Sequence, residues 1–198
     1  NVSDNPLNYF TIDPHSYLKA LEVGSILGIC HSHPNDTCNP SEADLVACEE
    51  SNVPWHILSW PGNATHSWEP SGYKAPLVGR KFSYGVLDCC TLIRDYYKRE
   101  LGIDFECHSG QDGWWDKGEN RYLENYESQG FVRVWDEHDI RDNDIFLIKL
   151  LSSVPNHASI FIGGDKILHH VYGRLSTKEI YGGYWRKHTT HHLRHESL

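Results

Sequence analysis

The stretch that most restricts the fold of this chain is Lys81-Phe-Ser-Tyr-Gly-Val-Leu-Asp-Cys89-Cys90-Thr-Leu-Ile-Arg-Asp-Tyr-Tyr97. A loop with aromatic residues and a glycine runs into an Asp-Cys pair, and helical periodicity starts at once. Leu92 and Tyr96, Ile93 and Tyr97, and Tyr97 and Leu101 stand four apart, so they share a helix face. Gly102 is the predicted C-terminal cap. Cys89 therefore falls at a helix N-terminus, where unpaired amides and the macrodipole lower a thiol's pKa. That setting suits a cysteine nucleophile. It also suits a structural cysteine that opens an amphipathic helix.

With 198 residues the chain has room for one large domain or two small ones. The net charge of −9 is unevenly placed. Residues 1–66 hold eight acidic residues and a single base, Lys19, while the remainder is close to balanced. This asymmetry points to two units and away from a nucleic-acid surface. No apolar run approaches a membrane span, and no charged-then-apolar segment opens the chain. Methionine is absent even at position 1, so the start is expected to be processed or cut, or these residues to be less than the whole gene product. Six cysteines are present, at 30, 38, 48, 89, 90 and 107, and they are expected to be mostly reduced. Asn35-Asp-Thr and Asn63-Ala-Thr match glycosylation sequons but carry little weight without a secretory signal.

In order, residues 1–15 read as a loose lead-in and Ser16 to Val23 as a short helix. Gly24 to His31 reads as a strand stopped by Pro34. A helix opens at Pro40-Ser41 and runs to about Glu50, and Val53 to Trp60 is another strand. Pro61 to Gly79, rich in Pro and Gly, reads as a linker or exposed loop. The predicted division is a unit over 1–66, a linker over 67–79 and a second unit over 80–198. Residues 103–130 read as mixed short helix and loop. Strands at Ile145–Leu150, Asn156–Gly163 and Lys166–His170 form a meander, with a tight turn at Gly163-Gly164-Asp165. The tail with His188, His191, His192 and His195 is expected to be a solvated end, able to bind metal in vitro.

His31-Ser-His33-Pro34 is followed after six residues by Ser41-Glu-Ala-Asp44. Two histidines two apart on extended backbone point to one face and can bind one metal ion. Asp44, in the first turn of the next helix, can return a third ligand, and three ligands plus water is the pattern of a catalytic zinc site. Ser41-x-x-Asp44 is also a helix capping box, and most His-x-His pairs are surface residues. The whole string resembles the JAMM/MPN metallopeptidase motif. That resemblance implies zinc on His31, His33 and Asp44, with Ser41 supporting an oxyanion. It also implies a Glu base well upstream. Thirty residues precede His31, and their acids, Asp4, Asp13 and Glu22, do not stand where the family has its Glu. Either the chain lacks its natural N-terminal piece or this unit is inactive, and without the base a bound zinc is expected to be only structural.

Residues 80–198 resemble the NlpC-type, papain-like cell-wall peptidases. Asp88-Cys89 opens a helix, His157 begins a strand about seventy residues later, and His169 lies on the following strand. The resemblance implies Cys89 as nucleophile, His157 as base and His169 as the residue that orients it. His170 is the neighbouring alternative, turned by strand alternation to the opposite face. Two positions depart from the family: Cys90 stands where Ser is usual, and Phe82 replaces a Tyr whose hydroxyl assists the oxyanion, with Tyr84 two further on.

The fold expected is α+β: a JAMM/MPN-like α/β unit, then a papain-like domain whose nucleophile helix packs on an antiparallel sheet. This order, together with the strings Ile167–Ser176 and Tyr181–Lys187, resembles the tail assembly protein K family of lambda-like siphophages. The resemblance implies synthesis in the host cytoplasm, other tail-tip proteins as partners, a place at the virion tail tip, and cleavage of peptidoglycan stem peptides. Three functions are consistent with it: a peptidoglycan endopeptidase, an assembly or structural component with vestigial sites, and a zinc-dependent protease that trims a tail protein.

Overall fold

The computed structural model describes residues 1–3, 6, 7, 9–108 and 112–198. Asp4 lies outside the described residues. The chain divides into two compact units, Asn1–Ala75 and Pro76–Leu198.

The first unit carries α1 (Pro14–Val23), β1 (Ile29–Pro34), α2 (Glu42–Ser51), β2 (Trp55–Trp60) and β3 (Thr65–Trp68). α1 starts two residues earlier than expected because Asp13 caps it, accepting the Ser16 N–H at 3.0 Å, and proline is tolerated in a first turn. β1 starts at Ile29 rather than Gly24, since Gly24 is used to end α1. β1 and β2 are parallel, with α2 as the crossover, and Ile29 faces Trp55 while His31 faces Ile57. Along β1, Ile29 and His31 are buried and Cys30 and Ser32 are exposed. His31 therefore points the same way as Ile29, which packs with Cys48 of α2 and Trp55. β3 falls where a loop was expected, pairing antiparallel with β2. The Glu49 carboxylate then accepts the N–H groups of Ser71, Gly72 and Tyr73, so part of the predicted linker is held to α2.

The second unit holds α3 (Cys89–Tyr96), α4 (Arg121–Asn125), β4 (Phe131–Arg133), β5 (Ile145–Ile148), β6 (His157–Phe161), β7 (Lys166–His169), β8 (Thr177–Ile180), α5 (Gly183–His188) and β9 (Thr189–His195). The sheet order is β4-β9-β5-β6-β7-β8, and every neighbouring pair is antiparallel. After α3 a π-helical turn over Tyr97–Leu101 leads to Gly102, whose φ of 70° is the left-handed cap the sequence called for. Leu92, Ile93 and Tyr97 form the buried face of this helix and pack on Ile145, Leu147, Ala158, Ile160, Leu168 and Leu193. Phe146, Ile148, Phe161 and Ile167 point to the other side of the sheet, where Tyr181 and Trp185 cover them. Both faces of β5 are thus buried, which explains its unbroken apolar run. The β6–β7 turn places Gly163, Gly164 and Asp165 at positive φ, a conformation that glycine adopts without strain.

The C-terminal tail is not a solvated end. β9 lies between β4 and β5, with Leu193 buried in the core. Asp144, fully buried, accepts from Arg194 at 2.7 and 2.8 Å, and His192 Nε2 lies 2.6 Å from the same carboxylate. The thiols also differ from expectation. Cys90 and Cys107 form a disulfide, because the first turn of α3 and the segment after Gly102 bring their Cα atoms to 5.9 Å, within bonding range. Cys30, Cys38, Cys48 and Cys89 are free.

Candidate active site and metal cluster

Asp88 is the residue that fixes the start of α3. Its side chain accepts the Thr91 N–H at 3.0 Å, and its own N–H reaches Thr91 Oγ1 at 2.8 Å, a reciprocal cap. A second carboxylate oxygen takes the Gly85 N–H at 2.9 Å, which ties the preceding loop to the helix. Beneath it the buried guanidinium of Arg80 bonds Asp95 at 2.6 Å and approaches the Asp88 carbonyl at 3.4 Å. Cys89 follows as the first helical residue and is 7% exposed.

The thiol lies 3.1 Å from the hydroxyl of Tyr122 on α4. Burial pushes the Cys89 pKa up to about 11, the Asp88 charge adds to the rise, and the Tyr122 hydroxyl and the Ala158 amide oppose it. This reverses the lowering expected from the helix N-terminus. A macrodipole supplies about 0.3–1 kcal/mol at an exposed site, whereas burying an ion costs several kcal/mol, so desolvation prevails.

His157 is the first residue of β6. Its place is secured by Asn156, whose amide side chain bonds both the N–H and the carbonyl of Leu150 at 2.8 and 3.0 Å and closes the β5–β6 loop. Ser159 is the register partner of His169, so His157, two residues earlier, shares that face. The result is a contact of 3.1 Å between His157 Nε2 and His169 Nδ1. The twelve-residue spacing in the sequence is the length of both hairpin arms plus the turn between them. Burial pushes the His157 pKa down to about 3, and nearby His169 and His170 add to the effect. Burial also lowers His169, against the pull of Glu179.

Cys89 and His157 line one cavity of about 440 Å³, together with Phe82, Tyr84, Trp114 and Tyr122. His170 lines it too, contrary to its expected turn to the opposite face. It sits just past the end of β7, where alternation no longer applies, and its Nε2 lies 3.1 Å from the Arg174 carbonyl. Phe82 packs edge-on against His170 and Tyr172, at centroid distances of 5.1 and 5.2 Å. The tyrosines that line this cavity are Tyr84, Tyr122 and Tyr172. No local pattern pointed to Tyr122, which stands 33 residues from Cys89 on a helix of five residues. The Cys90–Cys107 disulfide adjoins the same wall.

In the first unit, β1 and α2 bring His31, His33 and Asp44 together, with one donor atom from each within 4.8 Å of the others. The two Nε2 atoms lie 3.1 Å apart, and the Asp44 oxygens stand 3.2 Å from His31 and 3.4 Å from His33. Donors about 2.0–2.1 Å from a tetrahedral zinc are separated by about 3.3 Å, so the set fits that ion. The Thr37 carbonyl lies 3.0 Å from His33 Nδ1 and leaves Nε2 to face the cluster. Phe10 stacks on His31 at 4.6 Å. Ser41 donates its hydroxyl to Asp44 at 2.7 Å and caps α2, so that hydroxyl is engaged with the carboxylate of the cluster. Asp13 is the α1 cap and Glu22 is exposed on α1. Among the described residues, no further acid joins the three.

Comparison with known proteins gives two family matches, in chain order. Residues 4–71 match the prokaryotic homologs of the JAB domain, and residues 79–194 match the NlpC/P60 family. The tail tip assembly protein K of Escherichia phage N15 is 33% identical over all of this chain and 81% of its own length. Its counterpart in Escherichia phage lambda is 35% identical over 94% of this chain and 90% of its own. A solved structure, NlpC1 from Trichomonas vaginalis, aligns with 60% of this chain and 40% of its own at 17% identity and a TM-score of 0.40.

Proposed function

Since the chain belongs to the tail tip assembly protein K family, with a JAB-like unit followed by an NlpC/P60 domain, we propose that its second unit is a cysteine endopeptidase acting on peptidoglycan stem peptides. The observation that carries this reading is the 3.1 Å contact of His157 with His169 beside a cavity shared with a buried, helix-opening Cys89. Other tail-tip proteins are the proposed partners, the host cytoplasm the place of assembly, and the virion tail tip the final location.

In the reaction, His157 takes the Cys89 proton as the sulfur attacks the peptide carbonyl. The N–H groups in the first turn of α3 face the developing oxyanion. Protonated His157 returns its proton to the leaving amine, giving a thioester on Cys89. Water, deprotonated by His157, then releases the acid product and the free thiol. His169 holds the ring of His157 throughout. Both groups rest uncharged near neutrality, because burial raises the thiol to about 11 and lowers the imidazole to about 3.

The resting state sets a pH dependence. His157 acts only when unprotonated, and its lowered pKa keeps it so below the ordinary imidazole value of about 6.5. The kcat/KM profile on a stem peptide is expected to stay flat down to about pH 5. An acid limb with a midpoint at 6.5 or higher would contradict this. The reading as a whole is tested with purified peptidoglycan and mass spectrometry of released fragments, with and without iodoacetamide. Absence of thiol-dependent fragments removes it.

The relatives are named for assembly, which favours a second, compatible role in building the tail tip. Tails formed with a catalytically dead variant would separate the two roles. For the first unit, the proposed ligands of zinc are His31, His33 and Asp44, and the bound ion would supply a Lewis acid and an activated water. A zinc-dependent protease acting on a tail protein is the alternative for this unit. Elemental analysis of purified protein is expected to give about one zinc per chain, falling to background in His31→Ala/His33→Ala. Equal zinc in both proteins would exclude this site.

A further inference from the structure

The hydrogen-bonded pair His157–His169 has a continuation on β8 and α5. His169 Nε2 is buried, and the carboxylate oxygen Oε1 of Glu179 lies 3.5 Å away. Glu179 Oε2 in turn accepts the indole N–H of Trp185 at 2.8 Å. The Trp185 ring stands edge-on to His169, with centroids 4.4 Å apart, and lies 5.9 Å from the ring of His157. Glu179 is two residues from the strand partner of His169, and so on the same face of the sheet: β7 and β8 pair His169 with Thr177 and Ile167 with Glu179. Four groups from β6, β7, β8 and α5 thus form one file.

The file settles a question of protons. Two neutral imidazoles that share the contact between His157 Nε2 and His169 Nδ1 have two arrangements. In one, His157 Nε2–H donates, His169 Nδ1 accepts, and His169 carries its proton on Nε2, toward Glu179. His157 Nδ1 is then bare and able to act as a base. In the other, His169 Nδ1–H donates. Its bare Nε2 then faces an anion with no proton between them, and His157 carries its proton on Nδ1, where it cannot accept one from a thiol. A carboxylate 3.5 Å from His169 Nε2 favours the first arrangement electrostatically: that buried nitrogen has no hydrogen-bond partner, and an N–H there turns its positive end to the carboxylate, whereas a bare nitrogen would turn its lone pair to it. The Trp185 N–H keeps the carboxylate in place by holding its other oxygen.

We propose that Glu179 is a positioning residue that, held by Trp185, sets the tautomers of His169 and His157 and leaves His157 Nδ1 as the base for Cys89. The proposal rests on the cysteine-peptidase reading of the second unit. Glu179 touches neither substrate nor thiol and acts through two rings. Its charge also steadies the imidazolium that forms on His157 during the reaction.

The test compares wild type, Glu179→Gln, Glu179→Ala and Trp185→Phe. Imidazole ¹⁵N spectra come first, with His157 and His169 assigned by single His→Gln variants. Wild type is expected to show both rings protonated on Nε2. Glu179→Gln keeps an acceptor and is expected to keep this pattern, whereas in Glu179→Ala the Nδ1–H forms appear. For stem-peptide cleavage, Glu179→Ala is expected to lower kcat by about 100-fold with KM within about twofold. Glu179→Gln recovers most of that loss, and Trp185→Phe falls between. A wild-type His157 protonated on Nδ1, or tautomers unchanged in folded Glu179→Ala, would overturn the proposal. If Glu179→Ala does not fold, a Glu179→Gln variant with kcat as low as a His169→Ala variant overturns it, since the acceptor is still present. Expected spectra without any Cys89-dependent cleavage would leave the proton arrangement standing and remove the peptidase reading alone.

Discussion

Replacing Cys89 with alanine is expected to lower stem-peptide turnover by about 10⁴-fold or more, the loss seen when the nucleophile of a coupled catalytic set is removed. The reason lies in the neighbours. Cys90, the nearest sulfur in sequence, is bonded to Cys107 and has no thiol to offer. Tyr122, 3.1 Å from the sulfur, has its pKa raised well above the ordinary phenol value, chiefly by burial and further by its neighbours Cys89 and Asp88, so it is no nucleophile near neutrality. The fold should survive, since the loss of one sulfur from a buried site costs about 1 kcal/mol and the Asp88 cap is independent of the side chain at 89. The measurement is fragment release from peptidoglycan, followed by mass spectrometry, for wild type and variant at equal folded concentration. Turnover within tenfold of wild type would exclude Cys89 as the nucleophile. In a complementation assay the same variant is expected to build tails, because nothing in the substitution alters the surface of the unit.

The largest expected effect on stability is at Asp144. Its carboxylate is fully buried and joins the Arg141 N–H at 2.8 Å, His192 at 2.6 Å and two nitrogens of Arg194 at 2.7 and 2.8 Å. Asp144→Ala would leave Arg194 without its main partner. Removing one member of a buried pair typically costs about 3–5 kcal/mol. Arg194 is 11% exposed and keeps Asp139 at 3.0 Å, so the lower end, about 3 kcal/mol, is the expected loss of unfolding free energy in urea. Burial opposes ionisation of Asp144, but His192 and Arg194 outweigh it and hold the pKa below the usual carboxylate range. A depressed pKa stabilises the fold above the unfolded value of about 3.9, and the gain is lost as pH falls through the folded value. The gap between wild type and Asp144→Ala should therefore be full near neutrality and close in strong acid. A gap under about 0.5 kcal/mol at pH 7 would show that the pair does not hold β9 in the sheet.

Much of this site was legible as pattern. Asp88-Cys89-Cys90-Thr91 with the fourfold spacing of Leu92, Tyr96, Ile93 and Tyr97 encodes a capped amphipathic helix within a dozen residues, and that is where α3 lies. His157 and His169 were readable because a tight hairpin converts a sequence interval into adjacency. The His31 string was readable for the same reason, since a strand, a short loop and a helix N-terminus put Asp44 back over the two histidines. β9 was missed because four histidines made the tail look solvated. Its place depends on Asp144 and Leu147, more than forty residues away, and on Leu193 filling a core built elsewhere.

The local order of residues was thus sufficient for the two units in succession, the helix that presents Cys89, and the hairpin that joins the two histidines. Each follows from caps, turns and periodicity, whose energetics act over a few residues. Long-range packing set the rest. It made the thiol a buried neutral group, since desolvation depends on what covers the helix end. It also paired Cys90 with Cys107, placed Tyr122 on the sulfur, and drew Glu179 and Trp185 behind His169. Contacts between distant parts of a chain form only when the sheet is assembled, and no periodicity in the sequence marks them.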